Sequence, residues 1–292
     1  MKNAKRNLKK ITERTMQLIF LSLGLVTVGC VLLITVYLVI SGIPAIREIG
    51  LFKFLFGKKW ASTAAEPSFG ILPFILTSVY GTAGAIVLGV PIGFFCAVYL
   101  SKMAPKKLRS VFELAVSVLA GIPSVVYGLV GMLVIVPAVR RIFHIPDGAG
   151  LLSAILVLAV MILPSVIKVS LTALDAVPKE YEDAPWRATP VETYFRVSVP
   201  AAKSGIAAAV VLGVGRAIGE AMAVMMVSGN ASSNMPGLFR SVRFLTTAVT
   251  SEMSYSGGLQ RQALFSIALC LFFFILLINA LLNFLLKREK GR

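Results

Sequence analysis

Histidine is nearly absent from this 292-residue chain, which holds one, His144, and only three cysteines, Cys30, Cys96 and Cys270. The cysteines fall in three separate apolar runs. They have neither metal-ligand spacing nor a partner in a loop, so the sequence implies no disulfide and no metal centre. A lone histidine in a short loop reads as a solvated surface residue rather than a catalytic base. Nucleotide-binding and hydrolase signatures are missing too: there is no GxxxxGK[ST] loop, no GxSxG and no HExxH. These gaps argue against an enzyme or a self-sufficient ATPase. Any work the chain does must draw energy from a partner or a gradient.

Charge is scarce as well. Charged residues make up 14% of the chain and apolar residues 57%, and the mean hydropathy is +0.87. Soluble domains carry about 25% charged and about 45–50% apolar residues, so this composition belongs in a membrane. A spanning helix needs roughly 20 mostly apolar residues. Six stretches qualify, at about 16–41, 71–100, 111–139, 151–174, 206–228 and 263–286. The first, "MQLIFLSLGLVTVGCVLLITVYLVI", contains no charge. It is longer than the ~7–15-residue core of a signal peptide and reads as a retained helix.

The charge that is present leans one way, to a net +16. Eighteen Lys and Arg fall in 1–15, 101–110, 175–205 and 287–292, against nine in 42–70, 140–150 and 229–262, while Lys168 and Arg216 lie within spans. The positive-inside rule places both termini in the cytosol, in agreement with an even number of spans. The basic excess is therefore a topology signal with anionic lipid as its neighbour, not a nucleic-acid footprint. The expected organisation is a basic cytosolic N-terminus at 1–15, a first transmembrane helix at 16–41 and an outer, periplasmic segment at 42–70. A five-helix core follows at 71–286, with an inner loop at 175–205, and a cytosolic tail at 287–292. In the outer segment, Phe52, Phe54, Phe56 and Trp60 suit an interfacial aromatic belt.

Three stretches within the core stand out. In "AGIPSVVYGLVG", Gly121, Ser124, Gly128 and Gly131 share one helix face, either for tight packing or, through Ser124 and Tyr127, to line a pathway. The loop 175–205 mixes acids with bases between Pro178, Pro185, Pro190 and Pro200, as a protein-docking surface would. The third stretch, "VLGVGRAIGEAMAV" at 211–224, carries Arg216 and Glu220 in otherwise apolar surroundings. Each charge costs at least ~2.5–3.5 kcal/mol at bilayer depth. Four residues apart on a helix, they would share a face and could touch. Ala209 and Gly213 would extend that face, and Gly215 with Gly219 would form a packing strip beside it. Lys168 is placed to snorkel toward the cytosol.

The block 71–286 resembles the permease subunits of bacterial ABC importers, and the PstC-type phosphate permeases in particular. The likeness rests on "LAGIPSVVYGLVG" at 119–131, "ALDAVPKEYEDA" at 173–184, "GVGRAIGEAMAV" at 213–224 and "GLFRSVRFLTTAV" at 237–249. The resemblance implies an all-α membrane protein of six transmembrane helices with the type I ABC importer permease fold and both termini cytosolic. It implies a bacterial plasma (inner) membrane location. The implied partners are a second, PstA-type permease, two cytosolic ATPase subunits that bind ATP and Mg, and a periplasmic or lipid-anchored phosphate-binding protein. The chain itself would hold no cofactor.

By position, Glu182, Asp183 and Ala184 take the E-A-A places of the family's ATPase-coupling loop. Arg187 stands where a turn glycine is usual, followed by Ala188 and Thr189, and Val199 and Pro200 close the motif. Pro185 and Trp186 depart from the pattern. In this light Arg216 and Glu220 have two readings. They are either a self-neutralising ion pair or a substrate-pathway site. In the second, the guanidinium fork takes phosphate oxygens and the carboxylate accepts the proton of monohydrogen phosphate, which sulfate lacks. A permease for sulfate or molybdate, or a non-transporting membrane sensor or scaffold, are the alternative functions.

Overall fold

The computed structural model describes residues 2–181, 189–232 and 235–290. A stretch rich in Leu, Ile and Val with no proline before Pro44 gives one long helix, α1 (Lys2–Ile49), which continues through Pro44. Its side chains from Leu18 to Leu33 face outward, as expected of a helix in lipid. It meets the rest of the chain near its end, where Ser266 donates a hydrogen bond to the Gly42 carbonyl (2.6 Å) and Tyr37 packs edge-on against Phe265. A short helix, α2 (Leu51–Phe56), and a two-strand ribbon, β1 (Trp60–Ala61) with β2 (Ser68–Phe69), follow. Here the aromatic-belt expectation is corrected. Phe54 and Trp60 are 0% and 2% exposed and sit in a buried cluster with Phe69 and Phe74, while Phe52 and Phe56 alone of the four point outward. Residues 52, 54 and 56 alternate too fast for one helix face, so a single stripe was never available to all four.

The centre of the fold is α3 (Leu72–Lys102) lying along α7 (Leu151–Asp175), the most buried of the helices that can span. Gly84, Gly89 and Gly93 of α3 accept Ile155, Ile162 and Val166 of α7. This is how helices associate in lipid, where close backbone approach stands in for the hydrophobic effect. A Cβ on Gly89 would lie 2.8 Å from the Ile162 side chain and 2.9 Å from the Ala159 carbonyl. Gly89→Leu should therefore destabilise the fold by about 1–3 kcal/mol through overpacking, read as a lowered midpoint in thermal unfolding of the solubilised protein. Gly24→Leu, with nothing within 4 Å, should leave the midpoint unchanged.

Between these two helices the chain forms α4 (Lys106–Gly121), α5 (Ser124–Val130), a π-helical turn (Gly131–Ile135) and α6 (Val136–Ile142). The single span expected at 111–139 is thus replaced by a crossing unit at Ser124–Ile142, preceded by a separate helix. The cause is Pro123, which has no N–H to donate and drives Ile122 into an extended conformation (φ −69°, ψ 129°). After α7 come a 3₁₀ turn (Lys179–Tyr181), α8 (Pro190–Thr193), a π turn (Tyr194–Ser198), α9 (Val199–Ala201), α10 (Lys203–Gly219), α11 (Met222–Val227), α12 (Leu245–Glu252) and α13 (Gly258–Lys290). Among the described residues five helices are long and apolar enough to cross a membrane. The pair Val191–Ala201 and Lys203–Gly219, bent by 72°, makes six when counted as one span.

Candidate functional site

The segment expected to run as one helix from 206 to 228 is broken where its two charges lie. α10 stops at Gly219, and Glu220 is extended (φ −72°, ψ 128°) before α11 begins at Met222. Arg216 and Glu220 therefore do not share a helix face, and no ion pair joins them. Arg216 is half-buried, donates from Nη1 to Ser165 Oγ of α7 (3.3 Å), and has no carboxylate partner among the described residues. Glu220, also half-buried, turns its carboxylate the other way, to accept the Ala223 N–H (2.9 Å) at the start of α11. Its carbonyl, released from the helical ladder, accepts the Thr246 hydroxyl of α12 (2.8 Å).

The packing strip is also reversed from the expected one. Ala209 and Gly213 are the buried positions, with Gly213 against Val166 of α7, whereas a Cβ on Gly215 or Gly219 would meet nothing within 4 Å. An open groove of about 470 Å³ runs along this free face, lined by Ser165, Val211, Leu212, Gly215, Arg216 and Asn279. Arg216 is its sole charged member. A permanently charged, planar donor set in a mostly apolar groove can hold an oxyanion by two parallel hydrogen bonds.

Ser124 and Tyr127 sit on the element next to this break. Tyr127 is buried in the central core and donates its hydroxyl to the Leu119 carbonyl (2.7 Å), tying α5 to α4 across Pro123. Ser124, half-buried, opens α5. A Cβ on Gly128 would come 2.8 Å from Ala223 Cα, and Gly131 is closed in by Val157 and Val227. Gly128 thus brings α5 against the very residue whose N–H Glu220 accepts. The small-residue face here is a packing face, except at Gly121, which is open.

Two further polar groups were not singled out by sequence. On the side of the fold that holds the ribbon, Glu252 is buried at the end of α12. It accepts hydrogen bonds from Trp60 Nε1 (3.1 Å), Ser62 (3.0 Å), Gln260 (2.9 Å) and Arg243 (2.5 Å). Arg243 also donates to the Asn230 carbonyl (3.0 Å) and lies over the Phe74 ring. At the other end, Asp175 closes α7 by accepting from Ser101 (2.7 Å) and Arg109, and Arg109 bonds Glu113 as well (2.7 Å). Hydrogen bonds to Glu113 and then Asp175 raise the Arg109 pKa beyond its ordinary value. Lys168 is exposed beside this cluster.

Of the coupling-loop residues, Glu182, Asp183, Ala184, Arg187 and Ala188 lie outside the described residues. Thr189 is described: its N–H donates to Glu192 (3.1 Å) and its hydroxyl accepts the Glu192 N–H (3.3 Å), a reciprocal cap that starts α8.

Comparison with known proteins supplies the frame for this site. Residues 89–291 match the family described as "Binding-protein-dependent transport system inner membrane component". The chain is 32% identical to the probable ABC transporter permease protein YqgH of Bacillus subtilis, over 98% of this chain and 94% of that one. It is 32% identical to the phosphate transport system permease protein PstC of Mesorhizobium japonicum, over 82% of this chain and 80% of the relative. For the PstC of Haemophilus influenzae the identity is 31%, over 89% of each chain. Among solved structures, an inward-facing MetNI methionine ABC transporter aligns with a TM-score of 0.50 at 19% identity, over 75% of this chain and 92% of that one. That likeness concerns the fold alone. The chain belongs to the family of inner-membrane permease components of binding-protein-dependent ABC importers, with the type I importer permease fold.

Proposed function

We propose that this protein is the permease of an ATP-driven phosphate importer and forms half of its translocation path. Arg216 carries the reading. It is a half-buried guanidinium without a carboxylate partner among the described residues, facing an open groove, in a chain whose relatives include proteins named as phosphate permeases. With no ion pair to Glu220, the Arg216 guanidinium is left to the groove, which supports a pathway role for it. Phosphate delivered from outside would meet the guanidinium fork in the groove, and Glu220, turned to the Ala223 N–H at the helix break, would accept its proton as a hydrogen bond at a second step of a weak, transient relay. A contact to one half-buried guanidinium is weak enough for release, which conduction requires. Ser124 and Tyr127 belong to the supporting element beside Glu220, which meets α11 through Gly128.

The partners in this reading are a second, PstA-type permease, two ATPase subunits that bind ATP and Mg, and a phosphate-binding protein outside. Both termini lie in the cytosol, and the loop containing Glu182 and Asp183 docks on an ATPase. ATP binding and hydrolysis there would move the bent element formed by α8, α9 and α10, which leads directly to Arg216. The test is ATPase activity of the full complex with its binding protein. Phosphate should stimulate it and sulfate or molybdate should not, and charge reversal at Glu182 and Asp183 should abolish the stimulation. A sensor or scaffold would show stimulation indifferent to those two residues, and a permease for another oxyanion would answer to that anion instead.

A further inference from the structure

The break in α10–α11 is not dictated by the local sequence. Glu, Ala and Met are strong helix formers, and "GEAMAV" could continue α10 without interruption. A continuous helix would return the Glu220 carbonyl to the ladder and set Glu220 beside Arg216 at i,i+4, where opposite charges attract. Something must hold the chain open against that alternative. The break frees the Glu220 carbonyl from the helical ladder, and in a membrane protein such a group is satisfied by protein or by a water-filled cavity.

The Thr246 hydroxyl meets it at 2.8 Å, from a side chain only 7% exposed. Thr246 is itself presented by a fixed frame. The preceding Leu245 N–H donates to Ser78 Oγ of α3 (3.0 Å), and Phe244 N–H is capped by Thr247 Oγ1 (2.9 Å). The far end of α12 is anchored by Glu252 in its buried bonds to Arg243 and Trp60. We propose that Thr246 is a positioning residue for translocation. Its hydroxyl keeps Glu220 on the Ala223 N–H and apart from Arg216, so that the guanidinium stays available to the anion. The inference rests on the functional reading above for its consequence in transport, and on geometry alone for the helix break.

The experiment uses the complete importer with Thr246→Val, which keeps the shape and removes the donor, and Thr246→Ser, which keeps the donor. Nitroxide labels at Ala208 and Met222, both exposed, report the break. A continuous helix would fix the labelled backbone positions about 21 Å apart. The valine variant should shift its distance distribution toward that value, and the serine variant should keep the distribution of the parent. Phosphate uptake per assembled complex should fall about 3- to 10-fold in the valine variant, the loss of one hydrogen bond, and stay within twofold in the serine variant. An unchanged distance distribution with valine, unchanged uptake with valine, or equal loss with serine and valine would each overturn the proposal. If the parent complex moves no phosphate, the substrate reading fails, and the distance arm alone decides whether Thr246 holds the break.

Discussion

Glutamine in place of Arg216 is expected to lower phosphate uptake per assembled complex by about 10- to 100-fold, the worth of one charge-assisted hydrogen bond set to an anion. The expectation follows from what the guanidinium lacks. It bonds one serine hydroxyl at 3.3 Å and no carboxylate among the described residues, so glutamine leaves no charge orphaned inside the protein. Assembly should accordingly be near normal, and the loss should appear in transport. Arg216→Lys should recover only part of the activity, because an ammonium is a point charge without the planar fork. Were Arg216 half of a structural ion pair, the order would be reversed, with poor assembly and proportionate transport.

The second large effect is expected on stability, at Glu252. Its side chain is 8% exposed and that of Arg243 15%. Glu252→Leu would leave Arg243 charged and nearly enclosed, and would also strip acceptors from Trp60, Ser62 and Gln260. Removing one partner of a buried pair costs about 3–5 kcal/mol. Thermal unfolding of the purified chain should show a much lower midpoint, far beyond what Glu113→Leu produces, since the Arg109–Glu113 pair is a third or more exposed on both sides. Replacing Arg243 and Glu252 together by Met and Leu should recover much of the loss, because no uncompensated charge then remains.

Much of the fold was legible because bilayer dimensions leave few options. The apolar runs at 151–174 and 263–286 needed only length and composition, and both appear as helices with nearly the expected bounds. The glycine face at Gly128 and Gly131 was likewise readable, since small residues at helical spacing have a direct consequence in packing. The full break at Pro123 was not read from the apolar run at 111–139, because length and composition do not register the extended Ile122 that a following proline imposes. The break at Glu220 was hidden. Nothing between 213 and 224 resembles a stop signal stronger than glycine, and the groups that stabilise it, Thr246 and the Ala223 N–H, become neighbours only in the folded chain. For the same reason the face assignment was inverted. A helical wheel gives relative angles along one helix, while α7 decides which side of α10 is buried. Glu252 was invisible as a site because its partners come from residues 60, 62, 243 and 260, which no local pattern connects.

The most direct test of the account is ATP-driven uptake of radiolabelled phosphate by proteoliposomes holding the complete importer, with sulfate measured in parallel and Arg216→Gln alongside. The account predicts that phosphate accumulates only with ATP and the binding protein, that sulfate does not, and that the variant hydrolyses ATP with little accumulation. Sulfate accumulation in place of phosphate, no accumulation of either anion, or equal phosphate uptake by Arg216→Gln would contradict it.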